Sequence, residues 1–104
     1  NNVFVVSNDG FFLNLDKKSG LINWSVNTFK ILKESKQKTE ATGAVLASGK
    51  LYITTKNGFL IECSASTGKV LRFKKIGDNL VVPPVVSNGS LYLLTENSKI
   101  IGFN

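Results

Sequence analysis

The stretch LYITTKNGFLIECSASTGKVLR, residues 51–72, is the template from which the rest of the chain can be laid out. Forty-eight residues earlier, residues 3–24 read VFVVSNDGFFLNLDKKSGLINW, and forty residues later, residues 91–104 read LYLLTENSKIIGFN. The three copies share apolar runs of strand length separated by short polar turns. A repeat of this length is typical of architectures that stack one small unit on the next.

The second copy predicts a complete unit of four antiparallel strands joined by tight turns. Asparagine and glycine tolerate the positive φ angles that such turns require. The expected strands are residues 44–47, 51–55, 59–63 and 70–73, and the expected turns are Ser48-Gly49, Asn57-Gly58 and Ser66-Thr67-Gly68. Gly68 answers to Gly20 of the first copy, and Gly20 is predicted to adopt the left-handed backbone conformation.

The first and third copies are incomplete versions of the same unit. The first supplies expected strands at residues 3–7, 11–15 and 21–26, with Asn8-Asp9-Gly10 as the first hairpin turn. The third follows the second at a constant offset of forty residues and ends where its fourth strand should begin. The sequence therefore predicts units of three, four and three strands.

Several predicted strands, such as Phe59-Leu60-Ile61, are apolar at successive positions. Unbroken apolar runs indicate that both faces of the sheet are covered, and the chain has no helical segment of crossover length to cover them. Units of four strands and ~40 residues stacked face to face describe an all-β protein, a β-propeller fragment with four-stranded antiparallel blades. A stacked β-sandwich is the alternative, but it does not predict so regular a repeat.

This layout divides the chain into four segments. We expect a partial blade of three strands at residues 1–27, a connecting insertion at 28–43, a complete blade at 44–75 and a partial blade at 76–104. The chain would then hold about two and a half blades. Because it opens with Asn1-Asn2 and not with methionine, we expect it to be a piece of a longer protein.

Composition narrows the function classes. The formal charge is +6, from 13 Lys and Arg against 7 Asp and Glu, but the basic residues are scattered and only one of them is arginine. This pattern favours a solvated lysine-rich surface over a nucleic-acid site.

With no histidine, His-based catalysis is excluded within this chain. Cys63 is the single cysteine and lies in an apolar strand pattern, so it is predicted to be a small core residue. No apolar run reaches the ~18 residues of a membrane span.

The insertion at residues 28–43 is the main irregularity of the repeat, because this connection is eight residues longer than its counterpart after the second copy. Its sequence fits either a short amphipathic helix or an exposed loop. Long connections in compact repeats often carry binding surfaces. We therefore treat its lysines as a candidate partner contact, namely Lys30, Lys33, Lys36 and Lys38.

The turn and strand LDKKSGLINW, residues 15–24, resemble the tryptophan-docking, or PQQ-like, repeats of quinoprotein-type β-propellers. That family includes PQQ-dependent dehydrogenases and the BamB-like lipoproteins of the outer-membrane β-barrel assembly machinery. The resemblance implies that Trp24 packs against a neighbouring blade and that Gly20 and Gly68 permit the docking turns. Arg72 stands in the second copy where Trp24 stands in the first, so one dock is missing or built differently.

The enzyme branch of this family is expected to hold PQQ and calcium with a catalytic aspartate and often a pair of adjacent cysteines. This chain has no cysteine pair, and its aspartates, Asp9, Asp16 and Asp78, lie in contexts typical of turns. No catalytic, cofactor or metal site is therefore predicted here. These residues favour a non-catalytic role, although the repeat alone does not separate scaffold from enzyme.

The BamB-like branch implies a propeller scaffold that binds proteins, with the outer-membrane β-barrel assembly machinery as partner. It also implies a location on the periplasmic side of the envelope, as an outer-membrane lipoprotein. The alternatives are a segment of a PQQ-dependent dehydrogenase and a ligand-sensing propeller domain. Self-association is expected too, because a cut propeller exposes apolar sheet faces and unpaired edges.

Overall fold

A computed structural model describes residues 2–31, 39–76, 84–87, 90–94 and 100–103. These residues form ten strands and one 3-10 helix, Thr28–Ile31. The strands are β1 Asn2–Val6, β2 Phe11–Asp16, β3 Ile22–Asn27, β4 Ala41–Ala47, β5 Lys50–Thr55, β6 Phe59–Ser64, β7 Val70–Lys75, β8 Val85–Ser87, β9 Ser90–Leu94 and β10 Ile100–Phe103. Within the described ranges there is no helix whose length and apolar character would let it cross a membrane.

The strands form three antiparallel sheets in which neighbours in sequence are neighbours in space. The first sheet has the order β1-β2-β3, the second β4-β5-β6-β7, and the third β10-β9-β8. β4 and β8, which are equivalent strands of the repeat, contact each other across the second and third sheets. The all-β prediction is confirmed, and the described strands number three, four and three per sheet, as expected.

The central sheet has an apolar core on each of its faces. One core, between the first and second sheets, is built on the buried residues Phe12, Leu51, Ile53, Ile61 and Cys63. The other, between the second and third sheets, is built on Leu60, Leu91 and Leu93. Successive side chains of β6 point to alternate cores, which explains why residues 60 to 63 are all buried. We call these two contacts the first and second interfaces.

The connection after β3 differs from the sequence-based expectation. β4 begins at Ala41, three residues earlier than predicted, because the register shifts between Ala41 and Gly43 and lets both pair with β5. The N–H of Ala41 also donates to the carbonyl of Asn8 at 2.9 Å, which ties β4 to the first hairpin turn. The insertion, for which a short helix and an exposed loop were both open, begins with one 3-10 turn, and its residues 32–38 lie outside the described ranges.

Candidate functional site

Trp24 of β3 lies in the first interface, with its ring against the second sheet. Its indole is 4.9 Å from the ring of Phe12 in an edge-on arrangement and 6.4 Å from that of Phe4. It also covers the backbone of Gly68, where a Cβ atom would lie 2.4 Å from Cζ3 of Trp24. Gly68 has a φ of +77°, so both its conformation and its closeness to the indole favour glycine. The structure thus brings Trp24 and Gly68 together.

Gly20, the third residue of the expected dock, is not brought to this contact. Its φ is +72°, but a Cβ built on it would meet no atom within 4 Å in the described part of the chain. Its turn is held by Asp16, whose carboxylate accepts hydrogen bonds from the N–H groups of Lys18 at 2.8 Å and Ser19 at 3.0 Å. The bond from Ser19, and then that from Lys18, lowers the pKa of Asp16.

The same turn is retained in the second sheet, although serine replaces aspartate. The N–H of Gly68 donates to the carbonyl of Ser64 at 2.8 Å, as that of Gly20 donates to Asp16 at 2.9 Å. Ser64 completes the loop by donating its own N–H to the carbonyl of Lys69 at 2.9 Å. The backbone therefore fixes the turn in both copies, and the docking glycine keeps its place without the Asp side chain.

Arg72 occupies the position of Trp24 in the second sheet and forms an ion pair that sequence reasoning missed. Its Nε lies 3.0 Å from Oε2 of Glu62, and its Nη2 donates to Oε1 at 3.3 Å. Glu62 is 5% exposed, and Nζ of Lys50 lies 3.9 Å from the same carboxylate. Burial, and then the negative charge of Glu62, raises the pKa of the adjacent Tyr52.

A signal for this pair was present in the repeat. Glu62 is paired with Arg72 in the ladder of the second sheet, as Asn14 is paired with Trp24 in the ladder of the first. Glu62 follows Asn14, and Arg72 follows Trp24, by the same forty-eight residues that separate the two copies of the repeat. A charged residue inside the apolar run of β6 calls for a partner. The register places that partner directly across on β7.

The 3-10 helix that starts the insertion is anchored on the first hairpin turn. Thr28 is fully buried, and its N–H and Oγ1 both donate to the carbonyl of Gly10, at 2.9 and 2.5 Å. Phe29 lies against the same glycine, since a Cβ there would be 2.4 Å from the Phe29 ring. Lys30 follows and is exposed to solvent. The other predicted contact residues, Lys33, Lys36 and Lys38, lie outside the described residues.

β7 presents a mixed apolar and cationic surface at the outer side of the second sheet. Leu71 and Phe73 are 49% and 43% exposed, and Lys74 lies beside them. The Phe73 ring is 6.1 Å from that of Phe59, and Nζ of Lys75 stands 4.6 Å from the Phe59 centroid. β7 pairs with β6, and no other strand in the described ranges lies along its second edge.

Potential ligands and nucleophiles are few in the described part of the chain. No three side chains of His, Cys, Asp or Glu come together there in a group that could hold a metal ion. Cys63 is fully buried, as its sequence context predicted. Burial, and then the charge of Glu62, raises the pKa of its thiol to about 11, so the thiolate is strongly disfavoured at neutral pH.

Stacked antiparallel sheets of up to four sequential strands, with a tryptophan of one sheet seated on a glycine turn of the next, define a piece of a β-propeller. Residues 29–104 match the family model described as outer membrane protein assembly factor BamB. The chain belongs to this family, which confirms the resemblance drawn from residues 15–24.

Comparison with individual proteins agrees with this assignment. The chain is 26% identical over 100 residues to outer membrane protein assembly factor BamB of Legionella pneumophila (strain Paris). The match covers 96% of this chain, which spans 24% of that relative's length. The crystal structure of BamB from Moraxella catarrhalis superposes with a TM-score of 0.73 at 20% identity, covering 99% of this chain and 29% of that one.

A quinohemoprotein alcohol dehydrogenase from Pseudomonas putida HK5 gives a TM-score of 0.74 at 14% identity, covering 99% of this chain and 17% of the enzyme. At such identities the structural likeness shows the fold alone. The β-propeller prediction is confirmed by both structures, and the family by the sequence match.

Proposed function

We propose that this chain is part of a non-catalytic propeller scaffold that binds protein partners during outer-membrane protein assembly, on the periplasmic side of the envelope. The observation that carries the proposal is family membership over residues 29–104. The sheets supply a packed body, because Trp24 is seated on Gly68 in the first interface and the second interface is built on Leu60, Leu91 and Leu93. Rigid sheets that present exposed turns and outer strands suit recognition of another protein.

The surface that we propose for this contact begins at the 3-10 helix, Thr28–Ile31. Thr28 and Phe29 fix that helix on Gly10, so the exposed Lys30 starts from a defined position. Lys33, Lys36 and Lys38 follow in sequence and give the segment a cationic character. An acidic surface on one component of the assembly machinery is the complementary partner.

Photo-crosslinking in the source organism tests the proposal. A photoreactive residue at position 30 is expected to link the protein to a component of the outer-membrane β-barrel assembly machinery. The matched control is position 17, an exposed lysine in the turn after β2. Combined charge reversal of Lys33, Lys36 and Lys38 should lower the yield at position 30 severalfold.

Two results would contradict the proposal. Equal crosslinking to the machinery from positions 17 and 30, or none from either, would remove the contact surface. Release of PQQ and calcium from the purified protein on denaturation would instead make the chain part of a quinoprotein dehydrogenase, and the scaffold function would be wrong.

A further inference from the structure

At one corner of the second sheet, where β7 ends beside the turn between β5 and β6, an exposed aromatic ring lies next to lysines. We call this surface the β7 corner and define it by Lys56, Phe59, Phe73 and Lys75. Phe73 is 43% exposed, and its ring is 6.1 Å from that of Phe59. Because Phe73 is in register with Ile61 of the first core, it points to the side of the first sheet. Lys75 is two residues further along β7 and shares that side.

The cations of the β7 corner are positioned but not neutralised. Nζ of Lys75 donates to the carbonyl of Asn57 and stands 4.6 Å from the centroid of the Phe59 ring. An ammonium group has three N–H donors, so the carbonyl does not exhaust them. Lys56 directly precedes Asn57 and is exposed, and its backbone N–H donates to the carbonyl of Glu40 at 2.8 Å. Within the described ranges, neither Lys56 nor Lys75 forms an ion pair with a carboxylate.

The β7 corner lies on the outer side of the first interface. β3 is the last strand of the first sheet, and β7 is the last strand of the second. Trp24 closes the space between the two sheets just before β7 begins, where it covers Gly68. Phe73 and Lys75 stand past this contact, at the far end of β7. A strand added beside β1 would lie at the opposite edge of the first sheet and would not cover them.

The internal repeat shows that the strand itself does not require these side chains. At the offset of forty-eight residues, Ser25 stands at the position of Phe73, and Asn27 at that of Lys75. With these small polar residues, β3 has the same six-residue length as β7. Exposed aromatic rings are enriched where proteins contact each other. The ring and the cation of the second sheet therefore point to recognition and not to folding.

We propose that the β7 corner binds an extended acidic segment of a partner polypeptide. An aromatic side chain of that segment packs on Phe73, and a carboxylate two residues away pairs with Lys75 and Lys56. The spacing follows from the extended backbone, in which alternate side chains point to the same side. The negative charge follows from the two lysines, which no carboxylate of the described residues neutralises. The site goes beyond the proposed function, because it rests on β7 and the turn before β6 and not on the lysines of the insertion.

The direct probe is the blocked peptide GSFSDSG, in which phenylalanine and aspartate alternate. In an NMR titration of the isotope-labelled chain, it should shift the amide signals of residues 56–59 and 73–76 saturably. GSFSNSG lacks the charge, and GSFDSSG places the two side chains on opposite sides. Each of these two peptides should bind at least about threefold more weakly than GSFSDSG.

Variants that copy the first sheet test the two side chains of β7. Phe73→Ser and Lys75→Asn introduce the residues of the equivalent positions in β3, where a strand of the same length forms. Each should weaken the binding of GSFSDSG at least about threefold. Lys69→Asn is the matched control, because Lys69 is an exposed lysine just before β7, and it should change binding less than about twofold.

Several results would overturn the proposal. No saturable shift at millimolar peptide, or shifts confined to other parts of the chain, would remove the site. Equal binding of GSFSDSG and GSFSNSG would exclude an acidic partner, and equal binding of GSFDSSG would exclude the alternate spacing. Undiminished affinity in both Phe73→Ser and Lys75→Asn would show that the β7 corner does not make the contact.

Discussion

At the residue scale, the first interface depends on how closely Trp24 approaches the backbone of Gly68. Gly68→Ala would place a methyl group 2.4 Å from the indole and force alanine into a left-handed conformation. The backbone strain costs about 1–2 kcal/mol, and the overpacking about 1–3 kcal/mol more. We expect urea unfolding to show a loss of about 2–5 kcal/mol.

Gly20→Ala is the matched control for this substitution. Gly20 has nearly the same φ, +72°, but has open space where the new methyl group would lie. It should lose only the backbone cost of about 1–2 kcal/mol. Equal losses in the two variants would show that the indole yields easily and does not lock the two sheets together.

The buried thiol of Cys63 gives a second prediction at this scale. Its pKa rises from an ordinary 9.0 to about 11 in the folded chain, so folding favours the protonated form. The stability linked to this group is fully present below pH 9 and is lost as the pH rises toward 11. Unfolding free energies under reducing conditions should fall by about 2 kcal/mol between pH 7.5 and 10.5 from this group alone.

Cys63→Ala isolates that contribution, because every other ionisable group of the chain is present in both proteins. The variant should be less stable at pH 7.5, since it loses buried volume, but its stability should fall less steeply with pH. Parallel curves for the two proteins would mean that the native thiol ionises as readily as the unfolded one.

At the scale of elements, the β6–β7 pair shows how one repeat position holds two kinds of contact. In the first sheet the ladder sets Asn14 opposite Trp24, and in the second it sets Glu62 opposite Arg72. Arg72→Ala would remove the closest cation from the buried carboxylate of Glu62 and leave the more distant Lys50 and the hydroxyl of Tyr52 as partners. Because removal of one partner leaves a buried group poorly satisfied, we expect a loss of about 1–3 kcal/mol in urea unfolding at pH 7.

Lys50→Ala provides the comparison. The lysine side chain is 44% exposed and its nitrogen is 3.9 Å from the carboxylate, so its removal should cost less than about 1 kcal/mol. Equal losses of stability in the two variants would show that the close, two-nitrogen contact of Arg72 stabilises the Glu62 carboxylate no more than the distant Lys50 does.

The sequence predicted the strands and turns of these elements well because their determinants are local. Asn-Gly and Ser-Gly pairs mark reversals within a few residues, and the repeat offset carries each assignment to the next copy. The early start of β4 was missed since it depends on the bulge between Ala41 and Gly43 and on the bond from Ala41 to Asn8. Those contacts join residues far apart in sequence.

The candidate site was less predictable for the same reason. The motif implied that Trp24 packs against a neighbouring blade, but its seat on Gly68 depends on how the sheets stack.

At the scale of the whole molecule, both outer faces of the stack are apolar. Val3 and Val5 of β1 are 42% and 38% exposed on the face of the first sheet that points away from the second. Val85 and Tyr92, paired across β8 and β9, are 59% and 40% exposed on the far face of the third sheet. The second sheet shows how such faces pack, since each of its own is covered by a neighbour.

We therefore expect the 104-residue chain to self-associate, with the third sheet of one copy stacked on the first sheet of the next. Such a head-to-tail contact is heterologous, so it produces either a closed ring or a growing series of oligomers. Light scattering after size exclusion should show a mass that rises with concentration.

The double variant Val3→Thr and Val5→Thr keeps the β-branched shape but exchanges apolar for polar surface, and should weaken association at least about tenfold. Leu71→Thr, on the outer edge strand, should leave it unchanged. A monomer at millimolar concentration would contradict this stacking, and equal loss in both variants would place the contact on β7.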